Sequence, residues 1–126
     1  MSGQPMQALG QPVRVYGQTQ NLALPPRRAE AMAFAKAVAL LDQAGEADDP
    51  AAYSSALGFN QLLWTIVQAD VAGPGNALPE GLRKTLLSLS VFVDRQTLAA
   101  FADPTTEQLM PLTRNNENIA KGLFIG

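Results

Sequence analysis

NQLLWTIVQADVAGPGNALPEGLR, residues 60–83, is the stretch that decides the fold. It reads as the end of one apolar helix, a hard break, and the start of the next. Gly73, Pro74 and Gly75 stop the first helix, because glycine and proline are the strongest local breakers. Pro79 suits a first helical turn, where the missing N–H has no intrahelical acceptor to satisfy. Asn76 is placed to cap that helix or to form an Asx-turn before it. The spacing therefore predicts a helical hairpin.

Working backward, Asp49-Pro50 has the form of an N-cap followed by a first-turn proline. The helix it opens should reach Val71 or Ala72. Tyr53, Leu57, Asn60, Trp64, Val67 and Val71 fall on one helical stripe, with Phe59, Leu63 and Ile66 beside it. A helix apolar over that much of its circumference is buried or has a partner on its outer face. Before it, Pro26 should open a helix running to about Ala44, with Gly45 as its stop and Glu46 to Asp49 as an acidic loop. Ala31, Phe34, Ala35, Val38 and Leu41 give that helix its apolar period, and Met32 and Leu40 widen it.

Working forward, the helix after Pro79 carries Leu82, Leu86, Leu89 and Val93 on one face. Leu87, Val91 and Phe92 lie elsewhere, Leu98 and Phe101 extend the apolar content, and the helix should end near Ala102. Asp103-Pro104 should open a short element that Pro111 ends. A last amphipathic helix is expected over residues 113–123, with Leu112, Ile119 and Leu123 against Arg114, Glu117 and Lys121. The fold class is thus all-α: a small antiparallel bundle of three main helices plus a short C-terminal helix. Residues 1–24, rich in Gln, Gly and Pro, read as a flexible N-terminal tail, although Val13 to Tyr16 has the residues of a short strand. Residues 25–126 read as one helical domain.

Composition excludes several functions. The chain of 126 residues has no Cys and no His. Thiolate chemistry is absent, and so are the commonest general base and metal ligand. A formal charge of −2 and scattered basic residues argue against direct nucleic-acid binding. Charged residues make up only 16% of the chain, so solubility must come from Gln, Asn, Ser and Thr. No apolar run is long enough to span a membrane, and the N-terminus lacks the basic and apolar regions of a secretory signal. A cytoplasmic protein without a cofactor or a small-molecule substrate is expected.

The residues also carry a resemblance. Asn60, Leu63, Trp64, Thr65 and Asp70, followed by Asn76, Leu78, Pro79, Leu82 and Arg83, resemble the second- and third-helix pattern of the bacterial flagellar biosynthesis regulator FlaF family. Pro26-Arg27-Arg28-Ala29-Glu30-Ala31 is similar to that family's first-helix start. Asn118-Ile119-Ala120, with Gly122-Leu123, is similar to its close. The similarity runs from about Tyr16 to Leu123.

This resemblance implies a cytosolic, non-enzymatic flagellum assembly factor. It implies a secretion chaperone for flagellin, within a circuit that couples flagellin export to flagellin translation. A second regulator, FlbT, acts in the same circuit and is the alternative partner. Amphipathic terminal helices of flagellin are the expected ligand. Leu57, Asn60, Trp64, Leu87, Val91 and Phe92 are the candidate partner-binding residues; Asn76, Leu78, Pro79, Leu82 and Arg83 form the structural motif of the hairpin. Trp64 reads as core or as an anchor for a partner helix. Asp70 and Arg83 are spaced to bridge the hairpin, or to stand as two solvated charges.

Overall fold

The computed structural model of the chain describes residues 26–125, so the expected tail over 1–24 lies outside the described residues. Four helices follow in order: α1 (Pro26–Ala47), α2 (Pro50–Ala72), α3 (Glu80–Ala102) and α4 (Thr106–Ile125). The described fold is all-α, as the hydrophobic period implies. Each helix runs antiparallel to its sequence neighbours. α1 packs most extensively on α4, while the α3–α4 seam is the thinnest. α2 and α4 lie on a diagonal of the four-helix arrangement and approach through side chains.

α2 forms where the sequence places it. Asp49 is its N-cap and accepts a 3.0 Å hydrogen bond from the Ala51 N–H. Pro50 opens it, and its inward stripe is Tyr53, Ala56, Leu57, Asn60, Trp64, Val67 and Val71. The Tyr53 hydroxyl donates to the Thr105 carbonyl at 2.8 Å. Burial, the largest cause, raises its pKa above the ordinary phenol value, and the Asp103 charge adds the smallest contribution.

α1 departs from expectation at its end. Gly45 does not stop it; the helix continues to Ala47, and only Asp48 and Asp49 link it to α2. Asp48 supplies the reversal, with φ of 49° in the left-handed region that Asp tolerates better than most residues. The reason lies in α4. The Thr106 hydroxyl donates to the Gly45 carbonyl at 3.0 Å, and a Cβ on Gly45 would stand 3.3 Å from the Thr106 methyl. The glycine permits a close helix crossing. The inward stripe of α1 is Ala31, Phe34, Ala37, Leu41 and Ala44, whereas Ala35 is exposed and Val38 half-buried. Its three alanines, Ala31, Ala37 and Ala44, keep that face of α1 low for close packing.

α3 and α4 depart further. Pro79 is the N-cap of α3 rather than a first-turn residue, and Asn76 forms an Asx-turn, its side-chain oxygen accepting from the Leu78 N–H at 3.0 Å. The buried residues of α3 are Ser90, Val93, Thr97 and Ala100. Leu82 is exposed, and Leu86 and Leu89 are half-buried. Pro111 does not end a short element; it sits inside a 20-residue α4. Proline removes one backbone bond in a helix and crowds the carbonyl four residues back. That carbonyl belongs to the exposed Glu107, where water can satisfy it. Thr105, not Asp103, starts α4: its hydroxyl oxygen accepts from the Gln108 N–H at 3.3 Å.

Gly58 lies exposed inside α2 with no atom within 4 Å of a Cβ built on it. Gly58→Ala should therefore raise stability by about 0.5–1 kcal/mol through helix propensity. Gly45→Ala should gain less, because its Cβ crowds Thr106. Urea unfolding of the two variants beside the parent chain checks both statements.

Candidate functional site

The interior is organised by a short chain of hydrogen bonds. Trp64 Nε1–H donates to Asn116 Oδ1 at 2.9 Å, and Asn116 Nδ2 donates to Asn60 Oδ1 at 2.6 Å. An indole nitrogen can only donate, so it fixes which end of each amide faces which. All three side chains are essentially inaccessible, and the Phe34 ring meets Trp64 edge-on with centroids 5.5 Å apart. Asn60 Nδ2, Thr97 Oγ1 and Asn115 Nδ2 are buried without a hydrogen-bond partner among the described residues.

The hairpin motif is a structural clamp. Asn76 Nδ2 donates to the Asp70 backbone carbonyl and to its carboxylate, both at 3.2 Å. Arg83 does not pair with Asp70; its Nε donates to the Val71 carbonyl at 3.3 Å. Asn76 and Arg83 thus each bond a carbonyl in the last turn of α2. Leu78 packs against the core, and Leu82 stands largely in solvent.

Two contacts orient α3. Arg83 reaches α2, and Gln96 Nε2 donates to the Gln108 carbonyl on α4 at 2.8 Å. At about 100° per residue, Leu87, Val91, Leu98 and Phe101 fall on the Arg83 flank, beside α2. Leu87 is half-buried against the core, and Val91, Leu98 and Phe101 are exposed, Leu98 by 67%. Phe92 falls on the Gln96 flank, beside α4. An apolar stripe of about four turns on the α2 side of α3 is thus open to solvent.

The structure therefore separates the candidate residues. Leu57, Asn60 and Trp64 lie in the interior, engaged with the chain's own side chains. Leu87 and Val91 share one surface, and Phe92 lies on another. Leu98 and Phe101 join Leu87 and Val91 and were not among the candidates; their i+11 and i+14 spacing from Leu87 is the signal that places them there. Asn116 was also missed. It sits on a stripe with Leu109, Leu112 and Ile119, so helical period alone puts an amide among buried apolar residues.

The comparisons with known proteins bear on this arrangement. The family model described as "Flagellar protein FlaF" matches residues 13–123. No curated protein and no solved structure matches the chain.

The polar chain yields a stability prediction. Trp64→Ala should cost about 3–5 kcal/mol, the range for losing a large buried aromatic. Asn116→Leu should cost more in the parent chain than in a Trp64→Phe background, because only the parent strands a buried indole N–H. A double-mutant cycle read by urea unfolding should give a coupling of about 1 kcal/mol or more. Additive losses would refute the interaction.

Proposed function

The chain belongs to the FlaF family of flagellar proteins, and from that premise we propose that it binds flagellin as a cytosolic secretion chaperone. In this reading it holds an amphipathic terminal helix of flagellin until export and couples that export to flagellin translation. The role is stoichiometric binding, with no catalysis, cofactor or direct contact to nucleic acid. No helix among the described residues is long and apolar enough to cross a membrane.

One observation carries the proposal. α3 exposes Val91, Leu98 and Phe101 while it buries Ser90 and Thr97. A helix ordinarily turns its largest apolar side chains inward. Here a second apolar stripe faces outward along the α2–α3 seam, with the i, i+4, i+11, i+14 spacing a partner helix can match. The neighbouring surface of α2 offers Thr65 and Gly58 rather than charge. Such a surface binds by burial, and a standard complex would cover about 1,600 Å² in total.

Purified protein should form a soluble complex with the flagellin of the same organism. Titration calorimetry should show affinity that changes little between low and moderate salt, because screening acts on exposed charges. Val91→Asn and Leu98→Asn should each weaken binding about tenfold or more, as loss of a buried apolar side chain does. Folding stability should move by no more than about 0.5 kcal/mol, as for other surface changes. Phe92→Asn, on the other flank, should leave affinity near the parent value. No heat and no co-elution with flagellin, beside a firm complex with FlbT, would transfer the role to regulation of flagellin expression through FlbT.

A further inference from the structure

The outer stripe of α3 has a gap in its apolar series. From Leu87 the apolar positions are i+4, i+11 and i+14, and the missing i+7 position is Asp94. Leu87, Val91, Asp94, Leu98 and Phe101 therefore step by four and three residues in turn, the period of an a/d seam. Asp94 stands at the centre, one heptad from Leu87 and one from Phe101. At 1.5 Å per residue the seam is about 21 Å long.

Nothing among the described residues neutralises this carboxylate. Asp94 is exposed, and its side chain makes no ion pair or hydrogen bond there; the ion pair on α3 is Lys84–Glu80. Its neighbours three and four residues away are Ser90, Val91, Thr97 and Leu98, none of them a cation. Arg95 follows directly but points about 100° away round the helix. α2, the helix beside this flank, contains no Lys or Arg. In the free chain water solvates the carboxylate. Under a partner helix that water is lost, and a buried charge without a counter-charge is strongly disfavoured. A second copy cannot supply one. Because Asp94 is the midpoint of the seam, two such seams laid together in either direction set Asp94 against its own copy, and like charges so placed repel. The complement has to be cationic.

We propose that the helix bound on α3 presents a Lys or Arg at the middle of its own apolar stripe, and that Asp94 fixes its register by pairing with that cation. The inference rests on the α3 stripe being the partner surface and adds the chemistry of the partner. Apolar layers alone let a bound helix slide by one heptad at small loss. A single polar layer within such a seam specifies the register, at some cost in affinity. The pair lies under the partner helix, where salt screens it little, so it fits an affinity that changes little with ionic strength.

Fluorescence anisotropy of labelled peptides titrated with the full chain tests it. The probes are amphipathic helices of three heptads, with Leu at the a and d positions and either Lys or Glu at the central d position. The parent chain should bind the Lys peptide about tenfold or more tighter than the Glu peptide, because like charges face each other only in the second complex. Asp94→Lys should invert that order while far-UV circular dichroism keeps the parent helix content. Moving the Lys by one heptad should weaken binding to the parent chain, because the shifted seam loses a layer of contacts. Glu107→Lys on α4 changes the net charge equally and should leave the Lys preference in place. Equal affinity for the Lys and Glu peptides overturns the proposal. So does an order that Asp94→Lys fails to invert, or an inversion that Glu107→Lys reproduces. Flagellin separates this proposal from the reading it rests on. Flagellin bound equally by the parent chain and Asp94→Lys overturns the role of Asp94 and leaves the chaperone reading standing. A Lys preference that Asp94→Lys inverts, beside no flagellin complex, supports Asp94 and removes flagellin as the partner.

Discussion

The bundle depends on one donor that has no acceptor character. The Trp64 indole N–H is buried, so it must find an oxygen, and the oxygen is that of Asn116. That choice turns the Asn116 amide nitrogen toward Asn60, whose oxygen receives it. The chain therefore runs from α2 across the bundle to α4 and back to α2 one turn away. α2 and α4 face each other along the diagonal, where backbones stand too far apart for close packing. Side-chain bonds join them instead, and Tyr53 to Thr105 repeats the connection near the other end. A hydrogen bond buried in low dielectric is costly to break when its partner stays behind. A one-residue slip of either helix would strand several such groups at once. The polar chain thereby sets the register around which α1 and α3 pack.

The legibility of each helix follows from how local its determinants are. α2 was readable end to end. Its stripe has helical period, and Asp49-Pro50 and Gly73-Pro74 mark its limits by chemistry within a few residues. The end of α1 was not readable. Gly45 carries the local signal of a stop, but the Thr106 hydroxyl and the close α1–α4 crossing lie 61 residues away in sequence. Pro111 failed for a related reason. Its local cost is real, yet Leu109, Leu112 and Asn116 continue one buried stripe through it, and tertiary packing offsets the single lost bond.

The candidate site was legible only in part, because a conspicuous residue is more often buried than exposed for binding. Trp64, Asn60 and Leu57 stood out in the sequence through the same regularity that takes them into the core. α3 posed the harder question. It carries two apolar stripes, one through Leu82, Leu86, Leu89 and Val93, the other through Leu87, Val91, Leu98 and Phe101. Period alone does not say which turns inward. Arg83 and Gln96 decide it, one reaching a carbonyl at the end of α2 and the other a carbonyl on α4. Both contacts join residues twelve apart across a chain reversal, and neither has a sequence signature of its own.

That partition has an energetic consequence. Ser90 satisfies itself by donating to the Leu87 carbonyl of its own helix, but the Thr97 hydroxyl is buried without a partner among the described residues. Burying an unpaired hydroxyl costs about 1–3 kcal/mol. Leaving Leu98 in water forgoes a gain of about 1.5–3 kcal/mol for a full burial. Both terms weigh on the isolated bundle and are large against a domain stability of about 5–15 kcal/mol. A partner that covers the α3 stripe recovers the second term without disturbing the first. Apolar surface left in water in the free chain would, on being covered, contribute to binding free energy instead of folding free energy, because both draw on the same removal of apolar area from water.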